Sequence, residues 1–290
     1  MRIAFIGLGV MGFPMAGHLA CHDDFSVRVY NRSPAKADNW TQTHPGETGG
    51  RLPETVADAD AVVTCVGADQ DLRELYTEDD GIIANAPEGT LLLDHTTASA
   101  SVTRELAELA ATAGQSWVDA PVSGGQQGAE KGQLTIMCGG ERAAFDRAQP
   151  VLNCYGKAVH YMGVVGSGQL TKMVNQVTVA GLLQGLSEGL HFAEEAGLDP
   201  ASVVQAISGG AAQSWQMDNR AGTMIEGEYN HGFAVDWMRK DLGICLAEAR
   251  NNGASLPVAA LIDQFYGDVQ NLGGGRWDTS ALLERLRAHT

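Results

Sequence analysis

The sequence is poor in positive charge and has no long apolar run. It contains 19 Lys and Arg residues against 35 Asp and Glu residues, a formal net charge of −16. A field of that sign repels nucleic acid and anionic membrane surfaces, so we expect neither as a partner. No apolar run reaches the ~20 residues of a transmembrane helix. Any anionic substrate would therefore need a local positive site.

Cysteine is also scarce, which argues against a disulfide framework and a metal site. The five cysteines are an odd number, no Cys-x-x-Cys spacing occurs, and Cys65 and Cys138 lie in apolar, strand-like runs. This usage indicates reduced, buried cysteines and no metal ligands. The apolar start of the chain is short, interrupted by glycine and without a cleavage site, unlike a signal peptide. We expect a cytoplasmic protein.

The length of 290 residues, 44% of them hydrophobic, favours two domains. Strand-like and helix-like segments alternate through residues 1–163, which predicts an α/β domain with a doubly wound, mostly parallel sheet. The clearest helical segments are Ser101–Ala113 and Glu141–Leu152. The predicted strands are Arg2–Ile6, Ser26–Tyr30, Ala61–Val66, Thr90–Asp94, Ser116–Asp119, Leu134–Cys138 and Val159–Tyr161.

The second half of the chain is predicted to be all-helical. Strand signals stop after Gly163, and about residues 168–196 contain no proline. At 1.5 Å per residue this segment would form a helix about 43 Å long, enough to connect two domains. Residues 164–290 are therefore predicted to form a helical domain for substrate binding and dimerisation that starts with this interdomain helix.

Three glycines recur on that long helix. Gly181, Gly185 and Gly189 are four residues apart and would form a smooth stripe. Each interior glycine weakens a helix by roughly 1 kcal/mol, so something must offset the loss. The stripe predicts the close approach of another helix, either from the same domain or from a second subunit.

A glycine-rich turn follows the first predicted strand directly and precedes a helix-compatible stretch. In a dinucleotide-binding turn, the first glycine turns the chain, the second admits the pyrophosphate and the third lets helix and strand pack. The phosphates then lie at the helix N-terminus, where N–H groups and the dipole favour anions. The predicted pyrophosphate turn consists of Gly7, Leu8, Gly9, Val10, Met11 and Gly12.

The end of the second strand bears on the choice of cofactor. An acidic residue there would accept a hydrogen bond from the ribose 2′-hydroxyl and favour NAD. This chain has Asn31, Arg32 and Ser33 instead, with no carboxylate to repel a 2′-phosphate. We expect NADP, with NAD possible because Arg32 could also stack on adenine. Further predicted cofactor contacts at the same sheet edge are Val66, Gly67 and Thr96.

Lys172 is the candidate catalytic residue. Helical spacing places it on one face with Asn175 and Gln176, early in the long helix. A cation beside two amides can polarise and protonate a substrate oxygen. The same spacing also fits a solvated lysine on a polar helix surface.

A second candidate site follows the strand that ends at Asp119. Ser123, Gly124 and Gly125 offer consecutive backbone N–H groups and a hydroxyl, an arrangement suited to a carboxylate. An ordinary strand-to-loop turn would show the same residues.

Four separated segments resemble the β-hydroxyacid dehydrogenase family, which includes 3-hydroxyisobutyrate dehydrogenase, tartronate semialdehyde reductase and succinic/glyoxylic semialdehyde reductases. The resemblance implies an N-terminal Rossmann domain, a long interdomain helix and a helical C-terminal domain that contributes to a homodimer or tetramer. The segments are Phe5 to Ala16, Asp119 to Gly125, Gly166 to Gln176, and Lys240 to Leu242.

The resemblance also implies roles for single residues. Lys172 would be the catalytic lysine, and Lys240 would reach the cofactor. Asn175 and Gln176 would orient the lysine or the substrate oxygens. Ser123, Gly124 and Gly125 would hold the substrate carboxylate.

The implied function is an NADP(H)-dependent oxidoreductase that interconverts a small 3-hydroxy acid and its semialdehyde. The chain departs from the commonest family pattern at Gln176, where Asn is usual, and at His18, also usually Asn. The longer amide of Gln176 leaves the individual substrate open. Two alternatives are an imine reductase of the same superfamily and a non-catalytic nucleotide-binding regulatory protein, and Lys172 counts against both.

Overall fold

The computed structural model describes residues 1–288, in two compact units. The first runs from Met1 to Lys172 and contains a nine-stranded sheet, and the second begins at Met173 and is helical. The predicted fold class, a Rossmann-type α/β domain with a helical C-terminal part, is confirmed. The predicted division after residue 163 stays a domain hypothesis.

Parallel pairing dominates the sheet, whose strand order is β3-β2-β1-β4-β5-β6-β8-β7, with β9 paired to β8. The strands from β3 to β6 are parallel, whereas β8 runs antiparallel to β6 and β7 and parallel to β9. The strands are β1 (Arg2–Ile6), β2 (Ser26–Tyr30), β3 (Glu47–Thr48), β4 (Ala61–Thr64), β5 (Leu91–Asp94), β6 (Ser116–Asp119), β7 (Val122–Ser123), β8 (Leu134–Gly140) and β9 (Gly156–Gly163).

The predicted strands are all present, with changed bounds and two additions. The strand predicted over Ala61–Val66 ends at Thr64, because the Val66 N–H donates to the Thr96 hydroxyl and not to a neighbouring strand. The strand predicted over Val159–Tyr161 extends over Gly156–Gly163. β3 and β7 were not predicted, since two residues carry no readable alternation.

Helices cover both faces of the sheet, as a doubly wound fold requires. Alternate residues of β1 enter different cores: Ile3 and Phe5 pack with α1, α2 and α8, whereas Ala4 and Ile6 pack with α4 and α6. The helices of the first unit are α1 (Gly12–Ala20), α2 (Pro34–Thr43), α3 (Leu52–Val56), α4 (Asp69–Thr77), α5 (Ile82–Asn85), α6 (Ala100–Thr112), α7 (Gly125–Glu130) and α8 (Arg142–Leu152).

The predicted long helix exists as α9, Ser167–Glu195, which begins in the first unit and continues in the second. Its buried leucines, such as Leu183 and Leu190, join a separate apolar core of the second unit. The following helix has Asp199 as its N-cap, which accepts a hydrogen bond from the Ser202 N–H at 3.0 Å. The remaining helices are α10 (Pro200–Ile207), α11 (Trp215–Glu226), α12 (Val235–Asn252), α13 (Pro257–Asn271) and α14 (Leu282–Arg287).

No other helix of the second unit, as far as residue 288, covers the glycine stripe on α9. A Cβ atom built at Gly181, Gly185 or Gly189 would meet no described atom within 4 Å. The predicted packing against the C-terminal domain is therefore wrong, because the leucines of the opposite face of α9 fill that core. Packing against a second subunit stays a prediction.

The cysteines are less uniform than expected. None of the five, all within the described residues, forms a disulfide, but only Cys138 and Cys245 are buried. Cys21 is exposed, and Cys65 lies half-buried just beyond the end of β4. Cys154 is half-buried as well, so the expectation that the cysteines are buried is wrong at three positions, Cys21, Cys65 and Cys154.

Candidate active site

The glycine-rich turn between β1 and α1 has the geometry that a pyrophosphate needs. Gly7 has a φ of +99°, and its N–H donates to the Tyr30 carbonyl at 2.9 Å. A Cβ at Gly7 would collide with the Cys65 carbonyl oxygen, and one at Gly12 with the Gly7 carbonyl oxygen. A Cβ at Gly9 would meet nothing within 4 Å. Packing thus requires the first and third glycines, and the second leaves the backbone open to a ligand.

Asn31 holds this turn from the end of β2. Its Oδ1 accepts a hydrogen bond from the Leu8 N–H at 2.9 Å, and its Nδ2 donates to the Ser33 carbonyl at 3.1 Å. Both ends of the amide are therefore engaged with backbone groups. Asn31 positions the glycine-rich turn relative to the start of α2.

Arg32 is exposed and paired with an acid from another helix. Its side chain is 89% accessible, and one guanidinium nitrogen lies 3.5 Å from Oδ1 of Asp71, in the first turn of α4. The expectation that no carboxylate lies near this strand end is wrong, since α4 brings one that is distant in sequence. Ser33 is also exposed and precedes α2 as its N-cap residue.

The ends of β4 and β5 are tied together by buried hydroxyl and carboxyl groups. The Thr96 Oγ1 accepts from the Val66 N–H at 3.0 Å. Oδ1 of the buried Asp94 accepts from the Thr64 hydroxyl at 2.8 Å and from the Thr96 N–H at 3.0 Å. Burial raises the pKa of Asp94 to about 7. Two predicted cofactor residues, Val66 and Thr96, are thus joined to each other.

His95, which directly follows β5, belongs to the interior. Its Nδ1 lies 2.6 Å from the Ala120 carbonyl oxygen and its Nε2 lies 2.7 Å from the Tyr155 hydroxyl. Burial lowers the pKa of His95 to about 4, so the ring is neutral at pH 7. It is a structural histidine that fastens β6 to the segment after α8.

Asp119 and Gln169 fix the first turn of α9 to the sheet. Oδ1 of the buried Asp119 accepts from the Gly166 N–H at 2.8 Å, and Oδ2 accepts from the Gln169 N–H at 3.0 Å. The Gln169 side chain donates to the Thr96 carbonyl at 2.7 Å and accepts from the Ala98 N–H at 3.1 Å. The helix therefore starts at the carboxyl ends of β5 and β6. Neither positioning role was predicted from the sequence, although Asp119 lies in one of the family segments.

Lys172 follows one turn later on α9 and is buried, with 9% of its surface accessible. The approach of this helix to the sheet depends on Gly168, since a Cβ there would collide with the Met137 carbonyl oxygen and the Asp119 carboxylate. Lys172 is therefore not the solvated surface lysine that its spacing also allowed. It lies on a helix that starts at the carboxyl edge of the sheet, the edge at which folds of this type bind ligands.

The Ser-Gly-Gly turn lies at the junction of β7 and α7. Gly124 and Gly125 have φ values of +131° and +62° and are both exposed, and Ser123 is half-buried. These consecutive left-handed residues require glycine. At the other end of α7, the Ala129 carbonyl lies 2.9 Å from the His18 Nε2, so His18 links α7 to the helix after the glycine-rich turn.

A chain of polar contacts joins three predicted site residues within the second unit. The Asn175 amide donates to the Gln176 Oε1 at 2.8 Å, and the Gln176 amide donates to the Asp241 Oδ2 at 2.6 Å. The Lys240 Nζ pairs with the Asp241 Oδ1 at 3.1 Å and lies 5.7 Å from the ring centre of Trp237. Lys240 was predicted as a site residue, whereas no role was predicted for Asp241, which lies in the same family segment.

Comparison with known proteins identifies the family. The model for the NAD-binding domain of 6-phosphogluconate dehydrogenase matches residues 2–163. The model described as NAD-binding of NADP-dependent 3-hydroxyisobutyrate dehydrogenase matches residues 166–286. The chain belongs to the β-hydroxyacid dehydrogenase family.

Its relatives in this family match over nearly their whole length. An uncharacterized oxidoreductase of Shewanella frigidimarina is 55% identical over 98% of both chains. The 2-hydroxy-3-oxopropionate reductase of Escherichia coli is 33% identical over 99% of this chain and 97% of its own. The structure of Mycobacterium tuberculosis 3-hydroxyisobutyrate dehydrogenase with L-serine has a TM-score of 0.89 at 30% identity, over 99% of both chains.

Membership of the β-hydroxyacid dehydrogenase family confirms that the chain is an NAD(P)-dependent oxidoreductase. No helix within residues 1–288 is both long and apolar enough to span a membrane. The same residues hold no group of three or more His, Cys, Asp or Glu side chains that could bind a metal ion. The cytoplasmic location, the homodimer or tetramer and the individual site assignments stay predictions.

Proposed function

We propose that this β-hydroxyacid dehydrogenase is an NADP(H)-dependent enzyme that interconverts a small 3-hydroxy acid and its semialdehyde, with Lys172 as general acid and base. The observation that carries the proposal is the burial of Lys172 on a helix whose first turn is fixed to the sheet by Asp119 and Gln169. A rigid, partly desolvated ammonium group is suited to act on a developing oxyanion.

The glycine-rich turn fits a dinucleotide. Gly7 and Gly12 make the tight turn and the close helix packing, and Gly9 leaves the backbone accessible. Asn31 keeps this turn in place. Residues Val66, Gly67 and Thr96, from the next strands of the same sheet edge, would complete the binding groove.

NADP is the proposed cofactor because Arg32 presents an exposed guanidinium at the end of β2. A guanidinium binds a phosphate through charge-assisted hydrogen bonds. The description of the family model that matches residues 166–286, which names an NADP-dependent 3-hydroxyisobutyrate dehydrogenase, supports the same choice. NAD stays possible, since Asp71 also lies beside Arg32.

The bound nicotinamide would supply the hydride for reduction of the semialdehyde or accept it from the hydroxy acid. In the reductive direction the Lys172 ammonium would donate a hydrogen bond to the carbonyl oxygen and then its proton to the alkoxide. In the oxidative direction the neutral amine would remove the hydroxyl proton. The Ser123 hydroxyl and the N–H groups of Gly124 and Gly125 would hold the substrate carboxylate.

The hydrogen bonds that connect Asn175, Gln176 and Asp241 support a shared role of these residues in positioning Asn175. Gln176 uses both ends of its amide, toward Asn175 and Asp241, so it is suited to orient Asn175 rather than to bind substrate directly. Lys240 is assigned to the cofactor by the family resemblance, and its pairing with Asp241 restrains the ammonium group.

The test is a panel of C2–C4 semialdehydes, including 2-hydroxy-3-oxopropionate, with oxidation of NADPH and NADH followed at 340 nm. We expect turnover of at least one semialdehyde, faster with NADPH. Reduction of cyclic imines without reduction of any aldehyde would instead indicate an imine reductase. Nucleotide binding without turnover of any substrate would indicate a regulatory protein.

A further inference from the structure

The pair formed by Arg32 and Asp71 lies where two strands flank the glycine-rich turn. β2 and β4 are the neighbours of β1 on either side, and all three are parallel. Arg32 follows β2, and Asp71 lies in the first turn of α4, which follows β4. Their side chains meet at 3.5 Å across the carboxyl end of β1.

Asp71 is the fixed member of this pair. Its Oδ2 accepts a hydrogen bond from the Ala68 N–H at 3.0 Å, at the start of α4, and its side chain is 36% accessible. The Arg32 side chain is 89% accessible, so most of it lies in solvent. The guanidinium can therefore leave the carboxylate, whereas the carboxylate stays in place.

We propose that Asp71 is a specificity-determining residue that competes with the cofactor 2′-phosphate for Arg32 and so reduces the preference for NADPH over NADH. The inference rests on the proposed function, in which Arg32 binds that phosphate. Asp71 acts through Arg32 and touches no reacting atom, so its role is positional.

Charge explains why the two cofactors would respond differently. A phosphate monoester carries about −1.5 to −2 charges at pH 7 and must displace Asp71 from the guanidinium while lying near its negative charge. The 2′-hydroxyl of NADH is neutral and has no such competition. Removal of the Asp71 charge should therefore strengthen NADPH binding and leave NADH binding nearly unchanged.

The experiment compares the wild-type protein with Asp71→Asn, whose amide oxygen can still accept from the Ala68 N–H. Dissociation constants for NADPH and NADH are measured by fluorescence titration, and those for 2′,5′-ADP and 5′-AMP by calorimetry. Glu74→Gln is the matched control, because it removes one exposed charge from the same helix. All titrations are made at two salt concentrations, since screening weakens exposed charge pairs.

We expect Asp71→Asn to bind NADPH and 2′,5′-ADP about two- to fivefold more tightly, with the NADH and 5′-AMP dissociation constants unchanged within error. The gain should shrink at high salt and should be at least halved in an Arg32→Ala background. Glu74→Gln should leave the NADPH-to-NADH ratio unchanged.

Three outcomes would overturn the proposal. Weaker NADPH binding by Asp71→Asn would mean that the carboxylate orients Arg32 for the phosphate. An equal change for both nucleotides would mean that Asp71 only caps α4. If the gain in NADPH affinity persists fully in the Arg32→Ala background, Asp71 acts by direct repulsion of the 2′-phosphate and not through Arg32. Failure of the wild-type protein to bind either nucleotide would instead refute the proposed function itself.

Discussion

Replacement of Asp94 by asparagine should make the stability of the protein less dependent on pH. Asp94 ends β5, is fully buried and has a pKa raised to about 7 from 3.8 by that burial. Because the folded-state pKa is raised, the protonated group favours folding. This stabilising contribution of Asp94 is fully present below the pKa of the group in the unfolded chain, and it is lost as the pH rises through the folded-state pKa of about 7. Asparagine has the shape of the protonated acid and never ionises.

The magnitude follows from the size of the shift. A shift of about three pKa units, at 1.36 kcal/mol each, means that the wild-type protein loses on the order of 4 kcal/mol of its free energy of unfolding as the pH rises from below the unfolded-state pKa to above the folded-state pKa. About 2–3 kcal/mol of this loss falls between pH 5 and pH 8. Asparagine can still accept from the Thr64 hydroxyl and the Thr96 N–H through Oδ1. Oδ2 has no hydrogen-bond partner among residues 1–288, so the substitution breaks no hydrogen bond there.

The assay is equilibrium urea unfolding at pH 5, 6, 7 and 8, followed by circular dichroism. We expect the free energy of unfolding of Asp94→Asn, relative to wild type, to rise with pH by about 2–3 kcal/mol. The exposed substitution Asp80→Asn should stay within about 0.5 kcal/mol of wild type at each pH. A relative free energy that is flat or falls with pH would refute the reasoning.

Two further predictions concern the long helix α9. Lys172→Ala should lower kcat by about 10²–10³ while the dissociation constant for NADPH stays near normal, because the lysine acts on charge that develops in the transition state; a variant that keeps a tenth of wild-type kcat would contradict this. Gly185→Leu should lower the Tm and shift the light-scattering mass toward the monomer. The stripe is uncovered among the described residues, so we expect it to pack against a second subunit, and a leucine forced into that contact would destabilise the dimer by about 1–3 kcal/mol. Gly222→Leu, at another open helical position, is its control; a Gly185→Leu variant that is more stable, with unchanged mass, would show that the stripe faces solvent.

Local patterns in the sequence were sufficient to predict most strands of the sheet and the glycine-rich turn. The roles of Gly9 and Gly12 depend on a single strand-turn-helix unit, so spacing alone predicts them, whereas the close contact at Gly7 is with Cys65, beyond the end of β4. The long helix was equally readable, since no proline or strand signal interrupts Ser167–Glu195. β3 and β7 were missed because two residues are too few for a period.

Contacts between distant residues were the part that could not be predicted. Asp119 holds the start of α9 from 50 residues away, and Gln176 reaches Asp241 across 65 residues. Arg32 was read as a single cation because its acid, Asp71, follows a different strand. In each case the sequence contained the residue types, but only the folded chain decides which side chains meet.

The contact between Gln176 and Asp241 leads to a prediction about the second unit. Asp241 is buried, accepts from Gln176 and pairs with Lys240, so Asp241→Asn keeps the shape and removes the charge. The substitution removes one partner of a buried ion pair, and we expect the free energy of unfolding to fall by about 2–4 kcal/mol. If Asn175, Gln176 and Asp241 act as one unit, Asp241→Asn and Gln176→Ala should not be additive. A double-mutant cycle should then show a coupling energy of about 0.5–3 kcal/mol in both the free energy of unfolding and kcat/KM. If the losses in kcat/KM are additive and only the stabilities are coupled, these polar contacts stabilise the packing of the helices and do not orient Asn175 for catalysis.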